Sequence, residues 1–335
     1  MSNYYLRRTA RVFVTIYLVA TLTFGLIRLL PGGPYTQLRN QLLRQGMSPE
    51  EVEGRIQALQ NINPNAPLHQ QYIDYMAGFM QGNLGQSIHY QKPVAEILAQ
   101  AAPWTIFIVG VSTVLVFAFG IVFGALQAYW EGSRFDKALT TLSISVMSIP
   151  FYVYAILLLY VLSYQMGVTP TAGTVGSDYR GEGLSVGFLI SALQHAFLPI
   201  LSYTVAEAGI QMLAMRGNSI QILGKDYVRV ARLRGIADTR IATRYVARNA
   251  VLPMYTGFLL LLGFRLGGTV ILEEIFSYTG LGYYLFDALN SNDYPLMMGT
   301  FLVITVTLVI GVYVADLTYG KIDPRVKSGE SSEAF

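Results

Sequence analysis

The chain has 335 residues, of which 53% are hydrophobic and only 13% charged, against about 25% charged in a soluble domain. Its net charge of +3 is small for a chain of this length and gives no ground for a nucleic-acid partner. The absence of cysteine excludes disulfides, thiolate catalysis and cysteine-based metal sites.

The apolar residues fall in long blocks. No charge interrupts the stretches from Glu96 to Glu131, Lys137 to Asp178, Glu182 to Glu207, or Asp293 to Asp316. Roughly 20 apolar residues suffice for a helix to cross the hydrocarbon core, so the class is integral membrane protein. Six spans are predicted, at 12–30, 104–129, 139–165, 191–214, 251–272 and 296–318. The first is read as a retained anchor. "RLLPGGP" follows it where a signal peptide would have a small-residue cleavage site.

Between the first two spans lies a long polar segment. "MSPEEVEGRIQALQ" (47–60) predicts a surface helix: Ser48 caps it, Pro49 opens it, and Glu50, Glu51 and Glu53 favour its positive end. "NINPNAP" (61–67) breaks the helix, and "LHQQYIDYMAGFM" (68–80) resumes as an amphipathic one. In the second span Gly120 and Gly124 form a small-xxx-small pair that admits close helix approach. The third contains Pro150, which predicts a kink. The fifth carries Gly257, Gly263, Gly267 and Gly268. Beyond it, "EEIFSYTGLGYYLFDALNSNDYPL" (273–296) has no lysine or arginine and predicts a short helix entering the membrane from outside.

Lysine and arginine set the orientation. With the N-terminus inside, inner segments hold sixteen (at 7, 8, 11, 134 and 137, eight from Arg216 to Arg248, and 321, 325 and 327), outer segments five. By the positive-inside rule both termini are cytoplasmic.

Hydrolytic chemistry has no visible seat. There is no phosphate loop of the form GxxxxGK[ST], no HExxH and no GxSxG. His69, His89 and His195 are scattered along the chain. No catalytic or metal-binding residue is assigned. Ionisable groups within the spans are Arg28, Glu207, Arg265 and Asp316. Such groups face a cavity or each other, which makes Glu207 and Arg265 a candidate pair on a translocation path.

The charge concentrates in one inner loop, 216–250. In "GKDYVRVARLRG" (224–235), helical spacing places Tyr227, Val230 and Ala231 on one face and Arg229 and Arg232 on another. Gly235 ends that helix, and a second begins with Asp238 as its expected cap and arginines at 240, 244 and 248. From the residues alone, three uses stand side by side: an anchor on anionic lipid, an amphipathic surface helix, or a docking lever for a cytoplasmic partner.

The loop resembles the EAA signature of ABC-transporter permeases in the form found in dipeptide and oligopeptide importers, "DYVRxARxKG…RNAxLP". Asp226, Tyr227, Val228, Arg229, Ala231, Arg232, Gly235, Arg248, Asn249, Leu252 and Pro253 agree, and Arg234 stands for the usual lysine. Further similar blocks run along the chain. They are "TFGLIRLLPGGP", in which Gly33 replaces the family's aspartate, "GNLGQSIHYQKPV" (82–94), "HAFLPIL" (195–201), "EEIFSYTGLG", "DYPL" and "DPR" (323–325). The resemblance implies an all-α, six-helix type I ABC importer permease in a prokaryotic inner membrane. Its domains would be an N-terminal helix (1–30), a small extracytoplasmic subdomain (31–97), the permease domain (98–319) and a cytoplasmic tail (320–335). The implied partners are a second homologous permease, two ABC ATPase subunits that bind ATP and Mg²⁺, an external substrate-binding protein, and membrane lipid. This chain itself would hold no cofactor. Asp226, Tyr227, Arg229, Ala231, Arg232, Arg234 and Gly235 would dock on an ATPase, with Arg248, Asn249 and Pro253 at the junction to the next span. The implied cargo is di- or oligopeptide. Oligosaccharides or nickel complexes are the alternatives within the same machinery, and a stand-alone secondary carrier is the alternative outside it.

Overall fold

The computed structural model describes residues 2–28, 36–60, 66–179 and 183–322. The PGGP stretch (31–34), "DPR" and all of the tail beyond residue 322 lie outside them, as do the side chains of Arg28 and Asp316. Every regular element among the described residues is helical, and a lone antiparallel bridge joins Gln86 to Pro93.

In chain order the elements are α1 (Ser2–Arg28), α2 (Thr36–Arg44), α3 (Pro49–Gln60), α4 (Leu68–Met80), α5 (Val94–Tyr129), α6 (Arg134–Met147), α7 (Phe151–Leu158, continued as a π-helical turn through Gln165), α8 (Val186–Leu223), α9 (Asp226–Leu233), α10 (Asp238–Arg240, continued as a π-helical turn through Ala247), α11 (Arg248–Gly268), α12 (Val270–Ile275), α13 (Leu281–Ser291) and α14 (Tyr294–Ile322). Among the described residues, four helices are long and apolar enough to cross a membrane: Leu6–Leu26 within α1, α5, α8, and Tyr294–Val314 within α14. A fifth candidate is the α6–α7 pair taken as one span. α11 covers most of the remaining expected span as a helix of 21 residues. The expected third span, 139–165, is not one rod. It bends by 90° at the break between Met147 and Phe151. The cause lies at Pro150, which has extended backbone and cannot donate to the preceding turn.

The chain divides into two compact units. The first comprises the described residues of Met1–Ile106 and Leu266–Tyr313. Within it, α2 and α3 close a miniature core of Leu42, Val52 and Ile56. Ser48 and Glu51 cap α3 reciprocally: Glu51 N–H donates to Ser48 Oγ (3.3 Å), and Ser48 N–H to Glu51 Oε2 (2.8 Å). The amphipathic α4 packs on α1, through Tyr72 OH against Thr21 Oγ1 (2.7 Å) and the Tyr72 and Tyr75 rings against Phe24. The segment 82–93 is tied to the later segment 287–296 by two aspartates. Asp293 accepts from Ser87 Oγ, His89 N–H and Leu296 N–H, and Asp287 accepts from Tyr90 OH. The expected single helix in 273–296 is two, α12 and α13, separated at 276–280 by a turn around Glu273. That carboxylate is fully buried and accepts from Thr105 Oγ1 (2.8 Å) and Tyr283 N–H (3.1 Å).

The second unit comprises the described residues of Phe107–Arg265 and Val314–Phe335. Its core sets Val116 and Phe117 of α5 and Met215 of α8 against Ala250 and Met254 of α11. The Gly120/Gly124 pair lies on α8: a β-carbon at Gly120 would collide with Gln211, and one at Gly124 with the Met212 carbonyl. At the end of α5, Ser133 caps α6 and Asp136, three residues on, is buried. Asp136 takes both arms of the Arg216 guanidinium, at 2.6 and 2.9 Å, and the Gly132 N–H at 3.0 Å. This bidentate pair fixes the turn between α5 and α6 onto the end of α8 from which the arginine loop departs.

Candidate functional site

The arginine loop is built as a rigid elbow. α9 has eight residues, too few to persist alone in water, and depends on what it packs against. Its buried side is Val228 and Ala231, closed by Ile241 and Val246 from the following π-helical turn and flanked by Ile222, Leu223, Ile236 and Tyr245. The sequence grouping of Tyr227, Val230 and Ala231 on one face is therefore corrected. Ala231 goes inward with Val228, while Tyr227, Val230 and Leu233 stand out at 44%, 51% and 80% exposure. The reason is the direction from which neighbours arrive. The end of α8 and the turn after α10 both cover the Val228 side, which leaves the 227/230/233 stripe open.

α9 ends in a Schellman turn. Gly235 takes φ +70°, its N–H donates to Arg232 O (2.9 Å), and Ile236 N–H donates to Ala231 O (3.2 Å). The reversal drops Ile236 onto the buried cluster. An L-side chain at that φ costs about 1–2 kcal/mol, so glycine sets the angle of the elbow. The next helix is not capped as expected. Ala237 holds the cap position without a side-chain bond, and Asp238 sits one residue inside the helix. The acid there faces the first-turn N–H groups as a charge.

Around the stripe, Asp226, Arg229, Arg232, Arg234 and Gly235 are all exposed. None of the loop arginines from 229 to 248 forms an ion pair among the described residues. At the junction, Asn249 Nδ2 donates to Tyr245 O (2.7 Å), across the change from π to α winding, and Asn218 Nδ2 donates to Ala250 O (3.3 Å). Arg248 opens α11 exposed, and Pro253 lies inside it.

A second candidate site joins α8 to α11. Arg265 Nη2 is 3.1 Å from Glu207 Oε2, Nη1 donates to Thr113 Oγ1 at 3.2 Å, and the guanidinium carbon sits 4.9 Å from the Tyr203 ring centroid. The elbow and this pair both belong to the second unit. Among the described residues no group of three or more His, Asp or Glu is placed to hold a metal ion.

Sequence reasoning passed over three of the buried acids. Asp136 was readable from the S-x-x-D spacing after Ser133, a capping pattern that also aims the acid inward. Glu273 and Asp293 had no such local signal, since their partners Thr105 and Ser87 are 168 and 206 residues away.

A family model described as binding-protein-dependent transport system inner membrane component matches residues 120–328. The di/tripeptide transport system permease protein of Pseudomonas aeruginosa (strain UCBPP-PA14) is 29% identical over 340 residues, covering 98% of this chain and 99% of that protein. The oligopeptide transport system permease protein of Bacillus subtilis (strain 168) is 30% identical, covering 98% and 100%. The glutathione transport system permease protein of Salmonella typhi is 29% identical, covering 98% and 99%. With its apolar helices, the chain is a multi-pass membrane protein. It belongs to the binding-protein-dependent transport system inner membrane component family, the permeases of ABC importers, and is similar along nearly its whole length to dipeptide and oligopeptide permeases.

Proposed function

We propose that the chain is one of two permease subunits of an ATP-driven peptide importer, crossing the inner membrane six times with both termini in the cytoplasm. Residues 31–97 form a small extracytoplasmic subdomain on the side where a substrate-binding protein delivers cargo. The loop 216–250 is the coupling element. ATP and Mg²⁺ are bound by two partner ATPases, and this chain holds neither cofactor nor catalytic residue. The peptide class of cargo follows the names of the relatives, glutathione being itself a small peptide.

The observation that carries the reading is the outward stripe of Tyr227, Val230 and Leu233 on a braced helix, set among arginines that form no ion pair with the described residues. Exposed apolar residues three apart along one side of a helix, as here, are what a helix can lay into a groove. The brace matters as much as the stripe. A push on α9 passes through Val228 and Ala231 to the end of α8, where the Asp136–Arg216 pair ties α8 to α6. Closure of the ATPase dimer would thereby tilt spans rather than merely bend a loop. The Glu207–Arg265 pair lines the path so opened. A carboxylate that remains 28% exposed near the middle of a 38-residue span is costly against lipid, and water on that face removes the cost.

The test is coupling. Gly235→Val, or Arg232→Glu with Arg234→Glu, should leave membrane insertion intact while ATP hydrolysis no longer drives uptake in proteoliposomes. Unchanged uptake in both variants would remove the docking role.

A further inference from the structure

The Glu207–Arg265 pair is covered unequally at its two ends. The Arg265 side chain is 5% exposed, held by Glu207, Thr113 and the ring of Tyr203, which itself stacks on Phe151 with centroids 4.9 Å apart. The Glu207 side chain is 28% exposed. Its Oε2 is engaged by Arg265, and its Oε1 receives no hydrogen bond from the described residues. A pair closed over its cation and open at its anion presents a negative end to whatever passes.

We propose that Glu207 Oε1 receives the ammonium group at the amino terminus of a peptide as it crosses the membrane. This rests on the reading that the pair lines the translocation path. A carboxylate with one free oxygen accepts a charge-assisted hydrogen bond from an ammonium. A cargo carboxylate finds no equivalent, because the guanidinium that would bind it is buried. Arg265 has two effects on such a site. It holds the Glu207 carboxylate in one orientation, and its positive charge behind the carboxylate weakens the attraction for a second cation. Weak binding suits a path, where a group must be favoured enough to enter and still leave. A sugar hydroxyl can also donate to this oxygen but brings no positive charge, so the site favours an ammonium over an uncharged sugar.

Two measurements on the assembled transporter in nanodiscs separate this proposal from the path reading beneath it. The chain has no cysteine, so Glu207→Cys places a thiol in it at one known position. In the assembled complex that thiol should react with a membrane-impermeant methanethiosulfonate. Absence of labelling would overturn the path reading and the ammonium site together. The second measurement photo-crosslinks a tripeptide whose first residue is benzoylphenylalanine, with its amino terminus free or acetylated, and reads the adducts on this chain by mass spectrometry. The free amine should label near Glu207 about tenfold more than the acetylated peptide, the loss of one charge-assisted hydrogen bond. Glu207→Gln should reduce the free peptide to the acetylated level, and Glu207→Asp, which keeps the charge, should retain the preference. Equal labelling by the two peptides in the parent protein, or a preference that survives Glu207→Gln, would overturn the ammonium site while leaving the path intact.

Discussion

Two neighbouring positions on α9 should respond to truncation in opposite ways. Val228 is fully buried and Leu233 is 80% exposed. Leu233→Ala removes three carbons from a surface already in water, so the chain's own stability should move by no more than about 0.5 kcal/mol. If a partner groove covers the Tyr227–Val230–Leu233 stripe, the same change forfeits about 2 kcal/mol of apolar burial, or about thirtyfold in affinity for the ATPase. Val228→Ala removes two methyl groups from a closed cluster and should loosen the elbow by about 2 kcal/mol without altering the docking stripe. The assays are amide hydrogen exchange across α9 and titration of the detergent-solubilised permease pair with purified ATPase subunits. Leu233→Ala should spare exchange and weaken docking, and Val228→Ala should accelerate exchange. An exposed-side truncation that accelerates α9 exchange and leaves ATPase affinity unchanged would overturn the assignment of the two faces.

Packing and burial elsewhere in the chain lead to three more expected outcomes. Gly120→Ala should lower thermal stability by about 1–3 kcal/mol through overpacking against Gln211, whereas Gly110→Ala, with nothing within 4 Å of the added carbon, should be neutral in the same detergent melt. Asp136→Ala strands Arg216 and frees the Gly132 N–H, and should cost about 3–5 kcal/mol. Arg216→Lys should fail to preserve the parent melting temperature, since an ammonium cannot fork onto both carboxylate oxygens. Burial pushes the Glu273 carboxyl, just past the fifth expected span, from 4.5 to about 7. Between those values the folded chain holds a proton that the unfolded chain has lost. The contribution of Glu273 to stability is therefore fully present below pH 4.5 and is lost as pH rises through 7, by about 3 kcal/mol in all. The thermal midpoint should drop over that window, and Glu273→Gln should flatten the slope.

What the sequence disclosed was what punctuation and periodicity can carry. Gly235 marked the elbow because a positive φ after a short helix favours glycine. Ser48 marked the start of α3 as its cap, though not its reciprocal bond with Glu51, and Pro150 marked the break in the third span. The size of that break was not visible, because proline removes a bond without dictating where the next helix packs. The faces of α9 were misassigned for a related reason. In eight residues nearly every side carries something apolar, and which side is covered depends on Ile222, Ile241 and Val246, whose approach is tertiary. Glu207 and Arg265 stood out as charges within apolar spans, whereas Glu273 and Asp293 looked like loop acids. Their burial depends on Thr105 and Ser87, far away in sequence.

Whether α9 is gripped by a separate ATPase can be decided by placing the photo-crosslinker benzoylphenylalanine at position 233 of the purified, assembled transporter. Covalent capture of the ATPase subunit there, with a yield that changes on ATP binding, is the expected outcome. Capture of lipid alone, with the ATPase present and bound, would mean that the elbow rests on the bilayer and that no engine pushes it.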